Sequence, residues 1–162
     1  MGRIMYFVAL IIMLAAAALV AVGQLGYLQG NPPDDLGVKD GKLKRPSKTE
    51  NSVSSQAGLW ANHPMQAYAE IKPLRVQGDG AATMAKVAAA LKAMPRTELV
   101  TQEANYIYAR ATTAVLKFTD DVEFMLDAKA GVVHVRSASR LGRKDFGVNR
   151  ARIEAVRAVV GL

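Results

Sequence analysis

Between Arg3 and Asp34 the chain carries no charge, and residues 4–22 of that stretch, IMYFVALIIMLAAAALVAV, cannot belong to a water-soluble fold with a polar surface. At 1.5 Å of rise per residue, a helix over this run reaches about 28 Å, close to the hydrocarbon thickness of a bilayer. The apolar core of a secretory signal is shorter, roughly 7 to 15 residues, which favours an uncleaved anchor. Ala21 and Gly23 still offer a small-residue cleavage site, so release after signal cleavage is the alternative. What remains of the 162 residues suffices for one domain.

The flanks orient the span. Arg3 and the terminal amine precede it, whereas Asp34 and Asp35 are the first charges after it. The positive-inside rule then leaves the N-terminus in the cytoplasm and the domain on the extracytoplasmic, periplasmic side of a single-pass protein. Lys39, Lys42, Lys44 and Arg45 reduce that asymmetry. With no cysteine, neither a disulfide nor thiol redox chemistry is available.

The chain divides into a 1–25 anchor, a 26–52 linker and a 53–162 domain. The linker is rich in Gly, Pro, Lys, Asp and Ser and reads as flexible, and Trp60 is expected in the core. A strand is expected over residues 65–76, ended or edged by Pro73. Met84, Val87, Leu91 and Met94 repeat at helical spacing between a capping Asp79 and a terminating Pro95. Strands follow over residues 97–103 and 106–113, joined at Ala104 and Asn105, with residues 115–118 extending the second or bulging beyond it. A hairpin of residues 121–126 and 132–140 turns at Gly131, which is free to take positive φ.

That hairpin can pair in few ways. Val122, Phe124 and Leu126 must share a face with Val133 and Val135, which sends Asp121, Glu123 and Met125 to the other face beside His134 and Arg136. Acid then meets base across the strands, each such pair contributing about 0.2–1 kcal/mol. A last helix over residues 149–160 buries Ile153, Val156 and Val160, with Asn149 as its expected cap. The order of strand, helix, four strands and helix gives an α+β fold. Its antiparallel sheet has about five strands, and both helices lie on one face.

Charge is concentrated in the last third. Asp120, Asp121, Glu123 and Asp127 are followed by Arg136, Arg140, Arg143, Lys144, Arg150, Arg152 and Arg157 against only Asp145 and Glu154, in a chain of net charge +7. Arg150 and Arg152 fall in the first turn of the last helix, where cations oppose the macrodipole at a cost of about 0.3–1 kcal/mol each. Something negative should face them. In one reading Asp120, Asp121, Glu123 and Asp145 form structural ion pairs that clamp the helix to the hairpin. In the other an external anion sits at the start of the helix, held by Arg136, Arg140, Lys144, Arg150 and Arg152, with Gly147 and Asn149 shaping the backbone around it.

Catalytic signatures are weak. His134, Ser137 and Asp121 can be drawn as a triad, giving a small envelope hydrolase as an alternative, but no G-x-S-x-G elbow surrounds Ser137 or Ser139. His63 has no second histidine at ligand spacing, so neither a metal nor another cofactor is expected. Asp120 and Asp121, adjacent in a strand, point to opposite faces and cannot form a carboxylate dyad. Nucleic acid is not an expected partner, because stacking aromatics are not interleaved with the basic residues.

Three blocks in order, FTDDVEF from Phe118, GVVHVRSASR from Gly131 and DFGVNRARI from Asp145, together with NSVSSQ from Asn51, resemble the DUF1499 family over about residues 51–160. The resemblance implies a bacterial envelope or plastid protein without an agreed reaction, and supplies no catalytic residue. It groups Asp120, Asp121, Arg136, Ser137, Ser139, Arg140, Asp145, Gly147, Asn149 and Arg150 as one motif. Many members carry a cysteine where Ser52 stands, so a thiol role is not available to this chain. The expected function is a membrane-anchored, non-catalytic domain binding an anionic lipid head group or a membrane-protein partner, with a purely structural assembly role as a further alternative. Oligomeric state is left open.

Overall fold

The computed structural model describes residues 2–161. Helix α1 (Gly2–Gln24) is the apolar run; an 18-residue window within it has mean hydropathy 2.7 and is wholly exposed, so its length and composition suit a membrane span or a signal sequence. After it come β1 (Ser52–Ser54), a 3-10 turn (Ala57–Leu59), the single-turn α2 (Gln66–Ala69), β2 (Leu74–Arg75), α3 (Gly80–Ala93), β3 (Thr97–Gln102), β4 (Tyr106–Thr112), β5 (Thr119–Asp127), β6 (Val132–Ser139) and α4 (Val148–Val160).

The sheet is antiparallel in the order β1-β6-β5-β4-β3, with β2 also on β6. It has six strands instead of about five, and the difference lies in short edge pieces. Residues 65–76, expected as one strand, begin with a helical turn, where Ala69 N donates to Met65 O and Glu70 N to Gln66 O. Pro73 lacks an N–H for a ladder, and only Leu74 and Arg75 pair with β6. Residues 115–118 are a turn, closed by Thr113 N donating to Phe118 O.

Phe124 faces Val135 and Leu126 faces Val133, the register that the apolar alternation demands. These side chains, with Ile107 and Ala109 from β4, face α3 and α4 in one core that includes Leu91, Val87, Ile153 and Val156. Asp79 caps α3 by accepting from Ala81 N at 3.1 Å and Ala82 N at 3.3 Å.

Two local expectations are corrected. Trp60 is only half-buried and lies outside the core, with Lys42 Nζ 5.8 Å from its ring centroid. Residues 26–52, expected as a flexible linker, are held along much of their length. Leu43 is buried and its N–H donates to Gln56 Oε1 at 2.8 Å, Gly37 N donates to Glu123 Oε1 at 2.8 Å, and Gly30 O accepts from Arg140 Nη1 at 3.3 Å. A loop-like composition fixes irregular backbone here, and the domain supplies partners for that backbone's donors and acceptors.

Candidate functional site

Strand alternation divides the charged motif between the two faces of the sheet. Asp120 has the parity of Val122 and lies on the helix-bearing face; Asp121 and Glu123 lie on the other, with Arg136 and Arg140. The side chains of all five are at least nine-tenths buried.

On the helix-bearing face, α4 carries the counter-charge. Arg152 Nη2 donates to Asp120 Oδ2 at 2.6 Å, and its Nη1 donates to Ser137 Oγ at 2.9 Å and Asn149 Oδ1 at 2.8 Å. Asn149 is fully buried within the first turn of α4 and is not its cap. Its Nδ2 donates to Ser139 Oγ at 3.0 Å, Asn51 O at 3.2 Å and Asp145 Oδ2 at 2.9 Å, joining β6, the start of β1 and the helix.

Asp145 does the capping. Its carboxylate accepts from Gly147 N at 3.0 Å, Asn149 N at 3.3 Å and Tyr68 OH at 2.6 Å, while Gly147 takes φ +82° to turn the chain into the helix. An anion therefore does stand at the start of α4, and it is the protein's own. Burial works against charge on Asp145, yet the bonds from Tyr68, Asn149 and Gly147 outweigh it and hold the carboxyl below its ordinary pKa. Burial beside that carboxylate pushes the Tyr68 hydroxyl up to about 12.

On the opposite face, Glu123 Oε2 accepts from Arg136 Nη1 at 3.0 Å, and its Oε1 from Tyr106 OH at 2.9 Å as well as from Gly37 N. Asp121 accepts from Arg140 Nη2 at 2.8 Å and Nε at 3.0 Å and from Tyr108 OH at 2.7 Å. Burial opposes charge on Arg140, but Asp121 more than restores it, and the guanidinium pKa lies above its usual value. Burial next to Asp121 raises the Tyr108 hydroxyl to about 12. Arg136 Nε is buried and has no hydrogen-bond partner among the described residues.

These contacts revise the anion-binding expectation residue by residue. Arg136, Arg140 and Arg152 aim their guanidinium groups at internal carboxylates and are not free for a ligand. Asn149 is inside the network, and Gly147 N is already bonded to Asp145. Arg150 donates to Tyr68 O at 2.7 Å and ties α2 to α4. Lys144 alone of the seven has an exposed head, 3.1 Å from Glu50. Tyr106, Tyr108, Tyr68 and Asn51 complete the networks without having been singled out. For the first two a signal existed, since they alternate on β4 in phase with the acids of β5 and reach them diagonally across the strands.

The histidine–serine pairing fails on geometry. His134 and Ser137 are an odd number of residues apart in β6 and lie on opposite faces, and Ser137 Oγ is fully buried, donating to Asn149 Oδ1 at 2.5 Å. His134 Nδ1 instead lies 3.2 Å from Ser55 Oγ, with Asp127 Oδ2 3.9 Å from its Nε2, beyond hydrogen-bond reach. Ser55 Oγ accepts Val135 N at 2.9 Å and so fills the gap that β1 and β2 leave on the edge of β6. Burial lowers the His134 pKa, and Asp127 only partly offsets it. Among the described residues no group of three or more His, Cys, Asp or Glu is placed to hold a metal ion.

Residues 42–160 match the model of a family described as Protein of unknown function (DUF1499). Neither a curated protein nor a solved structure matches the chain. The matched region contains every side chain of both networks, while Gly30 and Gly37, whose backbone atoms join the second, precede it, and it begins within the segment, around Leu43, that packs back on the domain.

Proposed function

The chain belongs to the DUF1499 family, and on that premise we propose that it is a single-pass membrane protein whose domain, outside the cytoplasm, binds an anionic component of the envelope without catalysing a reaction. One observation carries the non-catalytic part of this reading. The side chains best suited to chemistry, Asp120, Asp121, Glu123, Asp145 and Ser137, are all buried and hydrogen-bonded to one another's partners, with no reactive atom presented to a cleft.

Binding is left to the cations outside those networks. Arg143 and Lys144 are exposed in the loop before α4, and Arg96 is exposed where the chain passes from α3 to β3. Such charges attract phosphate head groups when a bilayer lies within a Debye length, about 8 Å at physiological ionic strength. The full chain in nanodiscs tests this by hydrogen exchange. Adding phosphatidylglycerol to phosphatidylcholine discs should slow exchange over residues 141–148. Identical exchange in both lipids would count against an anionic lipid and leave a membrane-protein partner as the reading to pursue. Labelling by a serine-directed fluorophosphonate would restore the hydrolase.

A further inference from the structure

We propose that the domain does not hang from its anchor but docks end-on against the bilayer, seating the loops at one end of the sheet, Phe146 foremost, in the head-group layer. The inference rests on the reading of α1 as a membrane span.

The end of α1 fixes the direction. Gln24 Nε2 donates to Val115 O at 2.8 Å in the loop joining β4 to β5. Gly23 is buried against the same loop, so tightly that a Cβ there would stand 2.7 Å from Leu116 O. The last turn of the anchor therefore touches the domain directly, and the bilayer that holds α1 lies at this end of the sheet. The chain then passes Arg140 and Leu141, which Gly30 abuts, so the end of β6 belongs to the same rim. Arg140 N donating to Thr119 O sets the residues after β6 beside the β4–β5 loop.

Exposed apolar side chains concentrate on that rim. Leu25, Tyr27, Val115, Leu141, Phe146 and Val148 are exposed there, and among the described residues after α1 the other exposed large apolar side chains are Val38, Leu59, Val100 and Val159. An exposed patch of this kind marks an interaction surface. Across five strands at about 4.8 Å spacing the rim is roughly 20 Å wide.

Phe146 is the extreme case. It is 92 % exposed, and its φ of +52° is one that bulky residues rarely adopt. Asp145 and Gly147 fix the turn that presents it. A strained aromatic held clear of its own domain, beside exposed Arg143 and Lys144, has the make-up of an interfacial anchor: an apolar group to enter the acyl boundary and cations for anionic head groups. The hairpin tip at the opposite end, Asp127 to Gly131, carries no large apolar side chain.

Because the chain has no cysteine, single substitutions can carry an environment-sensitive fluorophore without background. The full chain is placed in phosphatidylcholine–phosphatidylglycerol nanodiscs with the label at Phe146→Cys, Leu141→Cys, Lys129→Cys or Ala16→Cys in turn. Docking predicts blue-shifted emission, and loss of intensity with shallow spin-labelled lipid, at positions 146 and 141 but not at 129. The Leu141 label keeps Phe146 in place, so loss of that side chain cannot hide docking. Labels at 146 and 141 that behave like the one at 129, while Ala16 is quenched by deep spin-labelled lipid, overturn docking and leave the anchor standing. An unquenched Ala16 label overturns the anchor, and docking with it.

Discussion

Asp120 and Asp121 are neighbours in β5, yet their carboxylates lie on opposite faces of the sheet, one held by Arg152 of α4 at 2.6 Å and the other by Arg140 at 2.8 Å. A single dipeptide thus anchors two buried networks, one tying the last helix to the sheet and the other tying the segment after α1 to its far face.

Removing one partner of a buried pair leaves an uncompensated charge, which typically costs 3–5 kcal/mol. Arg152→Ala should destabilise by about that amount, because among the described residues Asp120 keeps no other charged partner. Urea denaturation followed by the fluorescence of Trp60, the only tryptophan, measures it. A loss below about 0.5 kcal/mol would be that of an ordinary surface substitution.

The Glu123–Arg136 pair behaves differently when both members go. Arg136→Ala alone should cost about 3–5 kcal/mol, while Glu123→Leu combined with Arg136→Met should cost less, since it leaves no charge buried alone and its remaining cost is that of the half-buried Tyr106 OH and Gly37 N losing their acceptor. Arg136 Nε, already without a partner, adds to what the wild-type pair forfeits. The same denaturation assay distinguishes the two, and a double variant as unstable as the single would contradict the pairing.

Stability should fall on acidification in two windows. Asp145 has a folded pKa below its ordinary value, so its contribution is present above the unfolded carboxylate pKa and is lost as pH falls through the folded one. His134 is also depressed, by burial. Its unfolded form takes up a proton first, so the neutral ring favours folding fully above the ordinary histidine pKa and progressively less as pH falls towards the folded value. His134→Gln should flatten the slope in the upper window and leave the lower one intact, as read from midpoints across a pH series.

Phe146→Gly separates stability from docking. Glycine takes φ +52° without a steric penalty, and an almost fully exposed ring gives up little packing. The domain should melt no earlier, with a gain of up to about 1 kcal/mol from relieved strain offset in part by unfolded-chain entropy, while lipid protection of the rim declines. A large loss of stability would show that the ring packs against the domain.

Gly23→Val should force the end of α1 away from the Leu116 backbone. Since that contact lies outside the core, the melting of the domain is expected to stay within about 0.5 kcal/mol of wild type. The fluorophore at Leu141 should nonetheless lose its lipid contact. Unchanged quenching would mean that docking does not depend on this junction.

The hairpin was legible because Val122, Phe124 and Leu126 can share a face with Val133 and Val135 in only one register. The opposite partition of Asp120 and Asp121 follows from the same period of two. That both faces are buried was not legible, since the cover on the charged face comes from backbone atoms such as Gly37 N and Gly30 O in a segment whose composition is that of a loop. Side-chain patterns carry no trace of such contacts. The cross-strand figure of about 0.2–1 kcal/mol per pair takes no account of that burial, which makes the loss of one partner far more costly.

Asn149 misled for a different reason. An asparagine at the start of an apolar-periodic run reads as a cap, but Asp145, four residues earlier, caps through a loop that only the left-handed Gly147 allows, and Asn149 turns inward to Ser139 and Asn51. Trp60, expected in the core, instead flanks Lys42 at the surface. The four residues of α2 are too few to display any helical period.

The most direct measurement is a double-mutant cycle on Asp121 and Arg140, each replaced by alanine singly and together, with stability read from Trp60 fluorescence in urea. If the motif's charges are spent on one another, each single variant should lose about 3–5 kcal/mol, and the double should lose less than their sum by about 2–3 kcal/mol. Additive losses below about 0.5 kcal/mol each would mean that Arg140 is a free surface cation, and that the basic cluster is a binding site after all.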